Sequence, residues 1–353
     1  AHSAPNHLAL RGGAAAAMED GPSFVVLGAG AIGGFVGVLL HRAGFRVRFL
    51  VRSSERSRAQ REVWCRCGLT LLGSANPEFR EVLSPEEAAA AFTEDASCLE
   101  SCSCVLVATK RTGNTDVHRQ LVEQGVHCPV LFLQNGLRIC EGLEPAAYEA
   151  IECVVNFNTV LDAQAGTVTL GEPLEDVLLV LDGQCPSAAS LAAHLSRTRV
   201  NAKVEPAFRG VQCGKLLLNM TNAVNALSGV AIAPMFMQPE YRLVLAASIS
   251  EAQAAFRASG VEPKAARPSE EVLLKWFVSL LRAPQWVFAV TMGRKLRGRG
   301  ASNTSMAQDL AAHRVPTEID FLNGEVVRLG QQHGVPTPVN ERLIALVKEV
   351  VGL

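Results

Sequence analysis

Little in this chain is in excess. Its 353 residues carry 33 Lys and Arg against 34 Asp and Glu, a formal net charge of −1. That balance sets up no global field toward nucleic acid or an acidic membrane surface. The one basic stretch, GRKLRGRG at residues 293–300, reads as a solvated loop with helix ends. Metal-knuckle spacing is missing as well. Ten cysteines are present, but CRC (Cys65, Cys67) and CLESCSC (Cys98, Cys102, Cys104) lack paired C-x-x-C units and histidines at ligand distance. A chain long enough for two substantial cores has no need of disulfide staples. Reduced, mostly structural thiols, no metal site and a reducing, cytoplasmic setting are expected.

No apolar run reaches the roughly 20 residues that span a bilayer. Residues 24–40, FVVLGAGAIGGFVGVLL, fall slightly short, and the charges before them are Glu19 and Asp20, where a secretory signal needs a basic stretch. The opening AHSAPNHLALRGGAAAA has low complexity and lacks acidic residues. Residues 1–21 are expected to be a disordered leader, with Met18 a candidate start of the folded protein. Organelle targeting by this leader is left open.

The glycines explain the apolar run. Gly28, Gly30 and Gly33 spell G-x-G-x-x-G directly after the β-branched stretch Phe24-Val25-Val26-Leu27 and directly before a helix-like segment. That setting is the dinucleotide fingerprint: a tight turn, a backbone close approach to pyrophosphate, and close helix–strand packing at a helix N-terminus. FRVRFLVR at residues 45–52 then reads as the second strand. The acid expected about 20 residues past the glycines, to hold a ribose 2′-hydroxyl, is absent. Arg52 stands there, followed by Ser53, Ser54 and Arg56. An arginine suits a 2′-phosphate, so NADPH/NADP is expected over NAD.

CVLVATK (104–110) and PVLFLQN (129–135) are continuous apolar runs, as in a parallel sheet covered on both faces. Both end in polar residues, which places Lys110, Asn135 and Gly136 at the carboxyl ends of strands, where such sheets bind ligands. VVNFNTV and GTVTLGE (154–172) look like a hairpin or edge pair, DVLLVLD (176–182) like a strand, and SAASLAAHLSRT like a helix. From about Pro206 long helical patterns dominate, beginning with FRGVQCGKLLLNMTNAVNALSGV. The low aromatic content, 5%, with abundant Ala and Leu, suits helix-to-helix packing. The expected domains are 22–204, nucleotide-binding, and 205–353, helical and substrate-binding.

Within GKLLLNMTNA, Lys215, Asn219 and Asn222 lie at i, i+4 and i+7, on one face of a helix, while Leu216, Leu217 and Leu218 point elsewhere. Buried amides need partners, which a polar substrate would supply, or which a neighbouring helix would supply in a structural tie. Asn225 lies off that stripe. A second cluster, Ser305, Asp309, Glu318, Asp320 and Asn323, surrounds a helix start at Pro316 and Thr317, where Glu318 in the first turn would be favoured by the dipole.

Taken together, LGAGAIGG, VATK, LQNGL, GKLLLNMTNA and SMAQDL…PTEIDFLNG, in that order, resemble the ketopantoate reductase (2-dehydropantoate 2-reductase) family from Phe24 to the C-terminus. The resemblance implies an α/β plus all-α fold: an N-terminal Rossmann-type doubly wound sheet and a C-terminal helical domain of the 6-phosphogluconate dehydrogenase C-terminal-like kind. It implies NADPH-dependent reduction of 2-dehydropantoate to pantoate in pantothenate and coenzyme A synthesis. By position in the family's motifs, Lys215 matches the catalytic lysine and Glu318 a second catalytic residue. Asn135, Asn219, Asn222 and Ser305 fall on the substrate side. Gly28, Ala29, Gly30, Ala31, Ile32, Gly33, Arg52, Lys110, Asn135 and Glu318 fall on the cofactor side.

Several departures bear on the substrate. The family's second helix asparagine sits eight residues after the lysine, where this chain has Ala223, with Asn222 and Asn225 to either side. One extra residue separates Ser305 from Glu318, Arg138 replaces a small residue, and NFNTVLDAQAG lacks the usual small residues and threonines. A reductase of another 2-keto acid and a non-catalytic NADPH-binding sensor are the alternatives. The expected partners are a small keto acid and a possible second copy in a homodimer, with no nucleic acid and no membrane.

Overall fold

The computed structural model describes residues 21–51, 54–297, 303–313 and 317–352. Residues 1–20 of the expected leader, Arg52 and Pro316 therefore lie outside the described residues. Strands are β1 (Ser23–Leu27), β2 (Arg46–Leu50), β3 (Leu69–Gly73), β4 (Arg80–Leu83), β5 (Phe92–Thr93), β6 (Cys104–Val107), β7 (Val130–Phe132), β8 (Ala150–Val155), β9 (Thr159–Asp162), β10 (Thr167–Leu170), β11 (Leu178–Asp182) and β12 (Asn201–Glu205). Helices between them are α1 (Ala31–Arg42), α2 (Glu55–Cys67), α3 (Pro85–Ala91), α4 (Asn114–Glu123) and α5 (Ala188–Ser196).

The large sheet has the order β12-β11-β8-β7-β6-β1-β2-β5. From β5 to β8 every pairing is parallel; β11 runs antiparallel to β8. Alternate residues of β1 and β6 face two cores: Phe24, Val26 and Leu106 on one side, Val25, Leu27, Val105 and Val107 on the other. The chain runs outward from β1 to β2 and then returns to β6 on the opposite side. The reversal lies between β1 and β6, which is where doubly wound sheets form their ligand crevice.

A second sheet, β4-β3-β10-β9, covers α1. The expected hairpin is thereby corrected: Val154 and Val155 end β8 of the large sheet, and the hairpin proper, β9–β10, belongs to the small one. β3, β4 and β12 had no clear signal in the sequence. Sandwiched between two sheets, α1 is buried continuously from Gly33 to Leu40. A helix apolar on every side is a buried helix, which is why this run is uncharged.

The remainder is helical: α6 (Phe208–Asn219), α7 (Thr221–Ser228), α8 (Ile232–Met237), α9 (Pro239–Ala258), α10 (Glu271–Leu281), α11 (Gln285–Arg297), α12 (Ser305–Ala311), α13 (Ile319–His333) and α14 (Pro338–Val350). α9 is the long central member, packed against α6, α7, α8, α10, α13 and α14. The single long helix expected from residue 208 is divided. Met220, with 3₁₀-like dihedrals (φ −56°, ψ −23°), separates α6 from α7. Both touch α9, but α6 leans on β8 and β11 whereas α7 packs on α12 and α14, so beyond α9 the two halves follow different partners.

Candidate active site

At the end of β1, Gly28 takes φ +96°, and a Cβ there would lie 2.6 Å from the Thr109 backbone nitrogen. A Cβ on Gly33 would lie 2.1 Å from the Gly28 carbonyl oxygen. These two glycines let β1, α1 and the segment after β6 close on one another. Gly30 differs: it is extended, it stands at the N-terminus of α1, and a Cβ on it would meet nothing within 4 Å. No side chain caps that terminus and no acid occupies its first turn. Ala29, Ala31 and Ile32 complete the turn, and Gln60 of α2 donates to the Ala29 carbonyl at 2.6 Å. The result is a backbone cradle whose N–H groups and dipole favour an anion. Next to it a small cavity of about 30 Å³ is lined by Leu27, Gly28, Leu50, Val51, Thr109, Val117 and Gln120.

A second, tightly closed cleft is lined by Asn222, Ser305, Met306, Asp309, Glu318 and Leu322. Three elements build it. α7 supplies Asn222 and α12 supplies Ser305 and Asp309, with Thr304 capping α12 by accepting from the Ala307 amide. Glu318 sits one residue before α13 rather than in its first turn. Its side chain does not cap that helix but accepts from the Arg111 backbone N–H at 3.3 Å. Burial raises the Glu318 carboxyl above its ordinary value of 4.5, and Asp309 adds to the rise, while Lys110 and the Arg111 amide oppose it. Lys110, reaching from the end of β6, forms an ion pair with Asp309.

Asn135, just past β7, accepts from the Asn219 side-chain amide at 3.4 Å. Lys215, partly buried, lies one turn earlier on α6, and residues four apart share a helix face. Gly214 makes room beside it: a Cβ there would lie 1.9 Å from the Lys264 carbonyl oxygen. The expected stripe of Lys215, Asn219 and Asn222 therefore crosses the break at Met220, and Asn222 reaches the cleft from the first turn of a separate helix.

The second sequence cluster is divided too. Ser305, Asp309 and Glu318 meet at the cleft, but Asp320 pairs with Lys348 at 2.8 Å, and the fully buried Asn323 donates to Asn340 at 2.9 Å. Asn225 is buried and occupied: it donates to the Val230 carbonyl and accepts from the Thr304 amide and hydroxyl. It thus sets the start of α12 and leaves Asn222 as the amide at the cleft. Arg138 is also corrected. With φ +49°, it contacts Glu141 at 3.0 Å and Glu325 at 3.8 Å and does not line the cleft.

The residue that sequence reading missed is Arg111. Buried at 7% exposure, it donates to the Leu137 and Arg138 carbonyls at 2.8 Å each, lies 3.7 Å from Glu325 of α13, and stacks 4.6 Å from the Phe321 ring centre. Its position beside Lys110 in TKR was the only available signal. Gly136, at φ +113°, completes this joint by letting the Phe321 carbonyl pass where a Cβ would lie 2.9 Å away.

Comparison with known proteins adds independent findings. The family model described as ketopantoate reductase PanE/ApbA matches residues 24–173, and its C-terminal counterpart matches residues 207–351. The 2-dehydropantoate 2-reductase of Vibrio cholerae is 24% identical over 332 residues, 92% of this chain and 97% of the relative. The solved PanE/ApbA family ketopantoate reductase of Ralstonia eutropha superposes with a TM-score of 0.74 at 25% identity, covering 94% of this chain and 98% of its own. D-mandelate dehydrogenase, solved with NADH and anilino(oxo)acetate, shares the fold with a TM-score of 0.71 at 22% identity, covering 94% and 98%.

Proposed function

This chain belongs to the ketopantoate reductase family, and on that premise we propose that it reduces 2-dehydropantoate to pantoate with NADPH, with Lys215 as the general acid. The observation that carries the reading is the meeting of Asn222, Ser305, Asp309 and Glu318 in one cleft, with Lys110 paired to Asp309. The glycine loop fits a dinucleotide: Gly30 opens onto free space at an uncapped helix N-terminus, where N–H groups and the dipole would hold a pyrophosphate. Bound there, the reduced dinucleotide supplies the hydride.

The chain's own residues do the rest. Reduction of a ketone leaves negative charge on its oxygen. The Lys215 ammonium stabilises that charge and donates a proton from Nζ, a role typically worth about 10²–10⁴-fold. Asn219 is held by Asn135 and presents its amide on the lysine's face of α6. Asn222 and Ser305 orient the substrate's hydroxyl and carboxylate. Glu318, retaining its proton more readily than an ordinary glutamate, holds the substrate hydroxyl or the ribose side of the dinucleotide. Arg52, outside the described residues, is assigned to the 2′-phosphate from its place in the sequence.

One observation favours a second reading, a reductase of a different 2-keto acid. Position 223 is a fully buried alanine, and the cleft amide comes from Asn222 instead. The test is dinucleotide oxidation by purified protein, with 2-dehydropantoate and a panel of 2-keto acids, using NADPH and NADH in parallel. Turnover of 2-dehydropantoate with NADPH is the expected result. Preference for another keto acid would replace the substrate assignment. NADPH binding without turnover of any of them would make the protein a sensor.

A further inference from the structure

At the amino ends of the central strands, away from the strand ends that carry the candidate site, two segments run side by side into adjacent parallel strands. Cys102 lies two residues before β6 and Cys128 two residues before β7, and the strand register pairs Val105 with Val130. Their sulfurs are 3.5 Å apart, in hydrogen-bond contact, and both residues are partly exposed. We propose that Cys102 and Cys128 form a peroxide-sensitive dithiol that closes to a disulfide on mild oxidation.

The sulfurs need to approach by roughly 1.5 Å to reach bonding distance, a movement that side-chain rotation can supply. Four other thiols are placed differently. Burial pushes Cys104, Cys153 and Cys213 up and keeps them protonated. Cys67 is exposed and not in a disulfide. Cys128 moves the opposite way, because the hydrogen bond from Cys102 favours its thiolate; the same contact, with burial, holds Cys102 protonated. Cys128 is proposed as the attacking thiol and Cys102 as the resolving one.

The Cys128 thiolate attacks one oxygen of hydrogen peroxide; the O–O bond breaks, hydroxide leaves and takes up a proton, and a sulfenic acid forms. The Cys102 sulfur then attacks the sulfenic sulfur. The S–O bond breaks, the S–S bond forms, and the thiol proton leaves with the hydroxyl as a second water. Two thiols lose two electrons in total, and one peroxide becomes two waters.

The test treats reduced full-length protein with hydrogen peroxide, unfolds it in an alkylating agent and maps the peptides. The expected product is one cross-link joining the Cys102 and Cys128 peptides, about 2 Da lighter than the two thiol peptides together, and opened again by dithiothreitol. With Cys102→Ser, Cys128 is expected to remain as a sulfenic acid captured by dimedone. Full alkylation of both cysteines after peroxide would overturn the proposal, as would a cross-link through any other cysteine. Capture of sulfenic acid at Cys102 in a Cys128→Ser protein, with none at Cys128 in the converse variant, would overturn the assigned order of attack.

Discussion

Arg111→Ala is expected to loosen the joint between the strand ends and α13. The guanidinium is 7% exposed, makes two 2.8 Å bonds to the carbonyls of Leu137 and Arg138, and approaches Glu325 at 3.7 Å. Burial lowers its pKa from the ordinary value and Glu325 offsets that cost. A hydrogen bond from a charged donor contributes about 1.5–3 kcal/mol, and breaking a buried pair by removing one partner costs about 3–5 kcal/mol. Glu325 would not be stranded, because Arg328 stays at 2.7 Å and Arg138 at 3.8 Å. That residual pairing puts the expected loss at the low end of the range, about 3 kcal/mol, still a large share of the roughly 5–15 kcal/mol by which folded domains are stable. Urea denaturation followed by circular dichroism reads it. Arg111→Lys should recover less than half, since one ammonium cannot reproduce a planar fork aimed at two carbonyls. Activity should fall with stability, because the loop that Arg111 holds also carries Asn135. A loss under about 1 kcal/mol, or a lysine variant equal to the parent, would refute the reasoning.

Lys215→Ala should retain NADPH binding, measured by fluorescence titration, while turnover drops by about 10²-fold or more; near-normal turnover would remove this lysine from the mechanism. Glu318 has a raised carboxyl pKa, so the folded chain binds its proton more tightly than the unfolded chain does. The stability this contributes is fully present below 4.5 and is lost as pH rises through the folded value. Glu318→Gln should therefore be more stable than the parent at neutral pH and less active, which thermal melts across pH and a steady-state assay will compare. Asn222→Ala should raise KM at nearly unchanged stability. Asn225→Ala, which deletes three side-chain hydrogen bonds, should cost about 3 kcal/mol in denaturant; the reverse pattern would exchange the two assignments.

Much of the nucleotide-binding half is local, and local features can be read along a chain. A tight turn, a close helix and a buried strand each leave their mark within a few residues, so Gly28, Gly30 and Gly33 and the apolar runs of β6 and β7 were legible. Lys110 and Asn135 followed from a topological rule about strand ends. Of the small sheet only the β9–β10 hairpin was legible, because β3 pairs with β10 from far along the chain. The break at Met220 was hidden for a related reason: its residues are ordinary helix formers, and only the different partners of α6 and α7 make the bend favourable.

By itself, the amino-acid sequence determined the kind of fold, the place of the dinucleotide turn and the set of polar residues from which a site could be assembled. Tertiary structure alone decided which of them meet. It joined Lys110 to Asp309, gave Asn222 and not Asn225 to the cleft, turned Arg138 toward Glu325, and brought Cys102 against Cys128. Hydrogen bonds and ion pairs act over a few ångströms of space, whatever the separation along the chain, and packing sets those distances.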